Sequence, residues 1–311
     1  MKPKYSLIYP AYNEAGNLEV LIEKTVKIII EKKYNIEILF LDDGSSDGTF
    51  EKINEITKKS VLPIKVLKHN RNMGLTQSLK TLISEAVSDT IIFLPADLQS
   101  DPYEDIPKLI DKYETGFDMV LGVRKNRNEG KEISSRLYNK VCSYLFDIDF
   151  RDMNWIKIFR KEIFFELNIR ANWHRYIVPL ASLKDYKIGE IETNWYSRKY
   201  GNSKYDWKRF YPSLLDIIII KIISKFEKKP FYFFASIGLS FIIASIFLSV
   251  LLIIWYLLYL QQWRPFYFIG LAFFIVGIFF CMFGIMVEYT VWYQCKMEYL
   301  INRLENKQKF N

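Results

Sequence analysis

The sequence predicts an α/β fold, Rossmann-like with a mostly parallel sheet flanked by helices, followed by an interfacial helix and a hairpin of two transmembrane helices. Three observations predict it. Short apolar runs alternate with amphipathic ones as far as Val123, two long stretches near the end carry no charged side chain, and polar, acidic segments follow the apolar runs.

The strands read as Tyr5 to Tyr9, Ile36 to Leu41, Ile64 to Leu67, Thr90 to Leu94 and Met119 to Val123. Helices fall between them, at about Asn17 to Lys32, Asp47 to Lys59, Leu75 to Ala86 and Tyr103 to Tyr113. In open sheets of this kind ligands bind outside the carboxyl ends of the strands, so the residues just after each strand are the place to look for chemistry.

Phe231 to Leu260 and Pro265 to Val287 contain no charged residue, and each run is longer than the ~20 apolar residues that cross a bilayer. Gln261 to Arg264 leave room only for a tight hairpin. Lys225, Lys228 and Lys229 precede the first span, Lys296, Arg303, Lys307 and Lys309 follow the second, and the loop has Arg264 alone. Positive charge stays inside, so both termini and the large domain are expected in the cytosol, on an integral protein of the inner or plasma membrane. The first residues enter a strand pattern with no apolar leader, so no cleaved signal peptide is expected. The expected organisation is a soluble domain over 1–206, a juxtamembrane amphipathic helix over 207–229, two spans within 230–288, and a cytosolic tail over 289–311.

The net charge of +8 is dispersed, with several lysines beside the membrane, so anionic lipid is the expected partner and nucleic acid is not. Cys142, Cys281 and Cys295 lack paired spacing, and His69 and His174 stand alone, so neither a disulfide framework nor a zinc site is expected. A homo-oligomer is compatible with the sequence.

Three strand ends are acidic or polar: Pro10-Ala11-Tyr12-Asn13-Glu14, then Asp42 to Thr49, then Pro95-Ala96-Asp97-Leu98-Gln99. Singly each has a structural account, with Asp47 capping a helix, Gly44 and Gly48 serving turns and Pro10 ending a strand. Together they resemble the family 2 glycosyltransferases of GT-A fold, which show P-x-Y-N-E, then D-D-G-S-x-D-G-T, then a D-x-D-type segment. The resemblance implies that Pro10, Tyr12, Asn13, Glu14, Asp42, Asp43 and Asp97 bind a nucleotide-sugar. The chemistry agrees: Tyr12 offers a flat face for a base, while Glu14, Asp42 or Asp43 can accept hydrogen bonds from base and ribose. Carboxylates approach a diphosphate through a cation, so Mg²⁺ or Mn²⁺ is expected, held by Asp97 and Gln99. The family's usual first aspartate of this segment is Pro95, which has no side-chain oxygen, and weaker metal binding is the expected result.

Gly122-Val123-Arg124 with Lys131, Ser135 and Arg136 is similar to the acceptor side of the polyprenyl-phosphate sugar transferases, the dolichyl-phosphate mannose synthase-like branch. Lys131 and Ser135 are one helical turn apart and with Arg124 and Arg136 could grip a phosphate monoester. Asp152, in Arg151 to Lys157, occupies the place of that branch's acceptor-side aspartate and is the expected catalytic residue. Arg198 to Tyr205 matches its R-x-x-G-x-S-K segment, which implies that Arg198, Ser203 and Lys204 bind phosphate. Tyr205 to Phe226 then begins aromatic and basic and continues apolar at helical spacing, as an interfacial helix does. The expected function is an inverting transfer of a sugar from a nucleoside-diphosphate sugar to a polyprenyl or dolichyl phosphate at the cytosolic face, for a cell-envelope glycan. Two alternatives stand beside it: transfer to a hydroxyl of another lipid or glycan, with Asp152 as base, and a non-catalytic membrane subunit that keeps the fold.

Overall fold

The computed structural model describes residues 2–125, 143, 145–146, 148, 150–167, 169–170, 173–198, 216–221, 230–260 and 264–309. The chain forms two compact units, Met1–Ile217 and Ile218–Asn311.

In the first unit, strands and helices alternate as β1 (Tyr5–Ala11), α1 (Leu18–Lys32), β2 (Ile36–Asp42), α2 (Thr49–Lys59), β3 (Ile64–Lys68), α3 (Leu75–Glu85), β4 (Thr90–Phe93), α4 (Pro102–Tyr113) and β5 (Met119–Lys125). Then come β6 (Lys157–Arg160), α5 (Lys161–Glu166), a 3-10 turn (Trp173–Tyr176), α6 (Ile177–Leu183) and β7 (Ile188–Asn194). The seven strands lie in the order β3-β2-β1-β4-β6-β5-β7. β6 runs antiparallel to β4 and β5, and the other pairings are parallel. The order reverses at β1 and β4, the crevice where open sheets of this kind take their ligands.

The central strands are buried on both faces, which is why they read as unbroken apolar runs. Leu7, Tyr9, Phe40, Ile92, Val120 and Ile158 are fully buried, and the Tyr9 and Phe40 rings stack at 4.7 Å. Each such side chain contributes about 1.5–3 kcal/mol through burial. Pro10 sits inside β1, but beyond its last partner on β4, Ile8 opposite Phe93, so its missing N–H falls where the ladder is one-sided. α1 buries Leu18, Leu21, Ile22, Thr25, Ile28 and Ile29, one stripe at helical spacing, and ends where Lys33 turns left-handed at φ 53° and returns its N–H to the last carbonyls. α4 starts at Asp101, whose side chain accepts from Tyr103 N, with Pro102 behind it and Glu104 and Asp105 in the first turn.

The second unit is a pair of helices, α7 (Pro230–Tyr259) and α8 (Arg264–Lys309). Pro230–Tyr259 and Pro265–Gln294 are long and apolar enough to cross a bilayer, with mean hydropathies of 2.8 and 2.7. Only 11% and 17% of their most apolar windows are buried, whereas the core helix of a soluble protein is mostly buried. The two backbones touch at glycines: a Cβ on Gly238 would fall 2.6 Å from the Gly277 carbonyl oxygen, and one on Gly277 2.7 Å from that of Gly238. Ser245 Oγ donates to Gly270 O at 2.7 Å, and Glu288 accepts from Phe231 N at 3.1 Å. α8 does not stop where charge returns at Glu288 but runs unbroken to Lys309, so the segment expected as a tail is largely helix. Of the expected interfacial helix, residues 216–221 are helical and the remainder lies outside the described residues.

Candidate functional site

The loops after β1 and β2 are sewn together. Asn13 N donates to Ser45 Oγ at 2.9 Å and Ser46 N to Asn13 Oδ1 at 3.0 Å, while Glu14 N reaches Thr49 Oγ1 at 2.9 Å and Ala15 N reaches Asp47 Oδ2 at 3.1 Å. Asn13 takes a left-handed φ of 58°, a conformation asparagine tolerates better than most residues. Gly44 has φ 70°, and a Cβ there would lie 2.4 Å from the Arg71 carbonyl carbon, so only glycine fits. Burial opposes ionisation of Asp47, but the Thr49 hydroxyl and the N–H groups of Ala15 and Thr49 outweigh it and hold the carboxyl below its usual range.

The adjacent aspartates at the end of β2 have different partners. Asp42 is fully buried; Oδ1 accepts from Ser45 N at 3.2 Å and Oδ2 has no hydrogen-bond partner among the described residues. Asp43, expected to bind nucleotide, has protein partners on both oxygens: Oδ1 accepts from Met73 N at 3.0 Å and lies 2.7 Å from His69 Nδ1, and Oδ2 accepts from Gly74 N at 2.8 Å. It fastens the entry to α3. His69 completes the brace, with Nε2 3.0 Å from Thr81 Oγ1.

Glu14 follows β1 and Asp97 follows β4, two paired strands, and the charge of Asp97 is felt at Glu14. Glu14 Oε2 accepts from Asn17 Nδ2 at 2.6 Å. Burial pushes its carboxyl up to about 7, with Asp97 and Asp47 adding to the rise and Asn17 and Arg198 opposing it. Asp97 is 7% exposed and follows β4 in a loop that Leu98 turns at φ 54°. Its Oδ2 accepts from Arg198 Nη2 at 2.8 Å and Nε at 3.1 Å, and its Oδ1 from Gln99 N at 3.2 Å. Tyr196 N donates to Gln99 O at 3.0 Å, which ties the segment after β7, and so Arg198, to this loop. Pro10, Tyr12 and Gln99 are half-buried along the same set of strand ends.

Beside the end of β5, Arg124 grips Asp152 with two parallel bonds, Nε to Oδ2 at 2.6 Å and Nη2 to Oδ1 at 3.0 Å. The guanidinium lies 4.9 Å from the centre of the Trp155 ring, which itself donates to Thr193 Oγ1 at 3.2 Å. Next to this pair is a group to which the sequence reading gave no role: Lys157, first residue of β6, is buried. Burial pulls its amine down to about 8, with Asp152 opposing and Arg124 adding to the fall. The sequence signal was a lysine opening an otherwise apolar run, Lys157-Ile158-Phe159. Lys131, Ser135, Arg136, Ser203 and Lys204 lie outside the described residues.

Among the described residues no three His, Cys, Asp or Glu side chains cluster as metal ligands. Asp97 with the Gln99 amide is the donor set available, because Pro95 supplies none. One carboxylate and one amide oxygen suit Mg²⁺ or Mn²⁺, which complete their shells with substrate phosphate and water. The guanidinium resting on Asp97 Oδ2 marks a position that already attracts a cation.

A sheet that reverses at β1 and β4, with one antiparallel strand and carboxylates along its carboxyl edge, defines a glycosyltransferase of the GT-A type. The chain belongs to glycosyl transferase family 2, whose family model matches residues 6–174. The dodecaprenyl-phosphate galacturonate synthase of Rhizobium johnstonii is 27% identical over 242 residues, 76% of this chain and 71% of that protein. The undecaprenyl-phosphate 4-deoxy-4-formamido-L-arabinose transferase of Salmonella choleraesuis is 29% identical over 293 residues, 92% of this chain and 88% of that one. Glucosyl-3-phosphoglycerate synthase from Mycobacterium tuberculosis, solved with Mn²⁺, uridine-diphosphate-glucose and phosphoglyceric acid, is similar in structure with a TM-score of 0.55 at 12% identity, over 70% of this chain and 79% of that chain. At that identity the likeness speaks for the fold alone.

Proposed function

We propose that the enzyme transfers one sugar, with inversion, from a nucleoside-diphosphate sugar to a polyprenyl phosphate, anchored in a membrane by α7 and α8 with its α/β unit in the cytosol. The observation that carries the reading is the pair of guanidinium forks, Arg198 on Asp97 after β4 and Arg124 on Asp152 beside the end of β5, with β6 between the two strands. Each is a ready phosphate ligand held in place until a phosphate competes for it. The relatives that align along most of this chain, with polyprenyl-phosphate transfer in their names, support the same acceptor.

Asp42 Oδ2 and Glu14 are the acceptors proposed for base and ribose, with Tyr12 as the stacking face; Asp43 supports them through the loop it braces. Asp97 and Gln99 would hold Mg²⁺ or Mn²⁺, which supplies positive charge to the diphosphate as it departs. Arg198, which rests on Asp97, would add its own positive charge to the same group. An oxygen of the lipid phosphate forms the new bond to the sugar's C1, and the old C1–oxygen bond breaks with its electron pair going to the nucleoside diphosphate. The acceptor oxygen is already largely ionised at pH 7, its second pKa lying near ~6, so no base has to remove a proton. Asp152 fits that scheme because Arg124 engages both of its oxygens; its proposed work is to orient Arg124 toward the acceptor.

The test is transfer of labelled sugar into the lipid phase by the full-length protein in bilayers containing polyprenyl phosphate, screened across UDP-, GDP- and other nucleotide-sugars. Labelled lipid-phosphate sugar with at least one donor is expected, and none with any of them defeats the proposal. Asp152→Asn is expected to lower kcat only a few-fold; a loss of ~10²-fold or more, the scale of general-base catalysis, would favour a hydroxyl acceptor instead.

A further inference from the structure

Lys157 is 4% exposed, yet among the described residues no carboxylate lies within ion-pair distance of its ammonium. Its hydrogen-bonding contact is the Met153 carbonyl at 3.5 Å, and it stands 5.6 Å from the centre of the Phe93 ring. Burying an ammonium without a counter-ion is costly, and folding alone gives no reason to keep one there. The carboxylate whose charge reaches Lys157, Asp152, is already taken by Arg124, so Lys157 is left without an ion-pair partner among the described residues. His174, whose Nδ1 lies 2.8 Å from Thr76 Oγ1, offers no compensation: burial, Arg175 and Lys157 itself push its imidazole down to about 3.

The position of Lys157 is as telling as its isolation. β6 sets it opposite Phe93, the last residue of β4 and just ahead of the Asp97 loop, and opposite Leu121, just ahead of Arg124 on β5. It therefore lies between the residues proposed for the diphosphate and those proposed for the acceptor.

We propose that the Lys157 ammonium is a phosphate-binding group of this site, whose missing counter-ion is an oxyanion of the donor diphosphate or of the lipid phosphate. This rests on the transferase reading above. With its amine held near 8 rather than 10.5, Lys157 is still mostly protonated at pH 7, and an arriving anion would raise it again.

The experiment uses the full-length chain in lipid nanodiscs, as wild type, Lys157→Met and Lys157→Arg, with uridine diphosphate plus Mn²⁺ and undecaprenyl phosphate as separate probes, read by calorimetry and thermal shift. Met keeps the stem and removes the charge, so its melting temperature without ligand is expected at or above that of the wild type. Its affinity for one or both phosphates is expected to fall by about tenfold or more, with Arg restoring part of it. A loss confined to uridine diphosphate places the partner on the donor, and a loss confined to the lipid places it on the acceptor. Wild-type affinity for both probes in Lys157→Met overturns the proposal, as does a Met variant that melts well below wild type or fails to fold, because the charge would then serve the fold. Wild-type protein that binds uridine diphosphate but not the lipid sinks the acceptor reading alone, and the donor arm still decides Lys157.

Discussion

The carboxylates at the end of β2 are held differently from those beside the ends of β4 and β5. Asp43 is fixed by the backbone N–H groups of Met73 and Gly74 and by one imidazole, and Asp42 by the N–H of Ser45. Asp97 and Asp152 are held instead by the long side chains of Arg198 and Arg124. A backbone donor cannot leave its carboxylate without undoing the loop, whereas a guanidinium can turn from a carboxylate toward a phosphate with no change in the backbone. Asp43 is therefore proposed as scaffold, with Asp42 Oδ2 left open to a ligand, and the carboxylates beside the ends of β4 and β5 are proposed as the places where ligands exchange partners.

The largest effect expected from that contrast is at Arg124. Arg124→Ala leaves the buried Asp152 carboxylate unpaired, an error worth about 3–5 kcal/mol of unfolding free energy. The double change Arg124→Met with Asp152→Leu, which removes both charges, should unfold at nearly the wild-type denaturant concentration while transferring no sugar. Equal stability of Arg124→Ala and wild type would mean that the pair is not dehydrated enough to matter.

Asp97 and Asp43 separate function from scaffold more directly. Asp97→Asn is expected to lower transfer by about 10²-fold or more, with little change in melting temperature. Asp43→Asn should do the reverse, removing one anionic acceptor from three partners and costing about 2 kcal/mol of stability, with activity lost only as the fold is lost. If Asp43→Asn abolishes nucleotide binding at full stability, Asp43 is a ligand-binding residue and not part of the scaffold. Pro95→Asp extends the comparison by adding a carboxylate oxygen two residues before Asp97. The Mn²⁺ concentration that half-saturates nucleotide binding should then fall several-fold.

Much of this was legible in the sequence, for identifiable reasons. Strands buried on both faces, such as Leu7 to Tyr9 and Leu39 to Leu41, announce themselves as apolar runs, and the glycine and aspartate turns between Asp42 and Thr49 bound a helix closely. β6 and β7 did not announce themselves. β6 begins with Lys157 and ends with Arg160, and β7 alternates glutamates with apolar residues in Ile188-Gly189-Glu190-Ile191-Glu192, so neither reads as a core strand. The acidic strand ends could be found by position alone, but the division of labour between Asp42 and Asp43 could not. It depends on His69 and Gly74, a long way down the chain, and only the fold brings them to Asp43. Arg124 and Asp152 were each marked as candidates; their grip on one another was not visible, because it joins β5 to a segment that follows a long insertion.

Glu14 gives the finest test, because it sits on the boundary of the comparison. Its backbone N–H is stitched into the β2 loop, like the scaffold residues, but its carboxyl shares surroundings with Asp97 and Arg198. Folding raises that carboxyl from 4.5 to about 7, so the folded chain holds the proton more tightly than the unfolded one. The resulting stabilisation is complete below about 4.5 and is lost as pH rises through about 7. Glu14→Gln cannot ionise, so its unfolding free energy should gain on that of wild type as pH increases across this window. The size of the difference follows from that same shift, reduced because Glu14 is only half-buried and solvent screens part of it. Repeating the titration with saturating donor and metal sharpens the point. A cation at Asp97 and hydroxyl donors from ribose both favour the ionised carboxyl, so the window should move to lower pH if Glu14 belongs to the exchange site. If it stays near 7 with donor bound, Glu14 belongs with Asp43 in the scaffold, and Asp42 Oδ2 is left as the acceptor for the nucleoside.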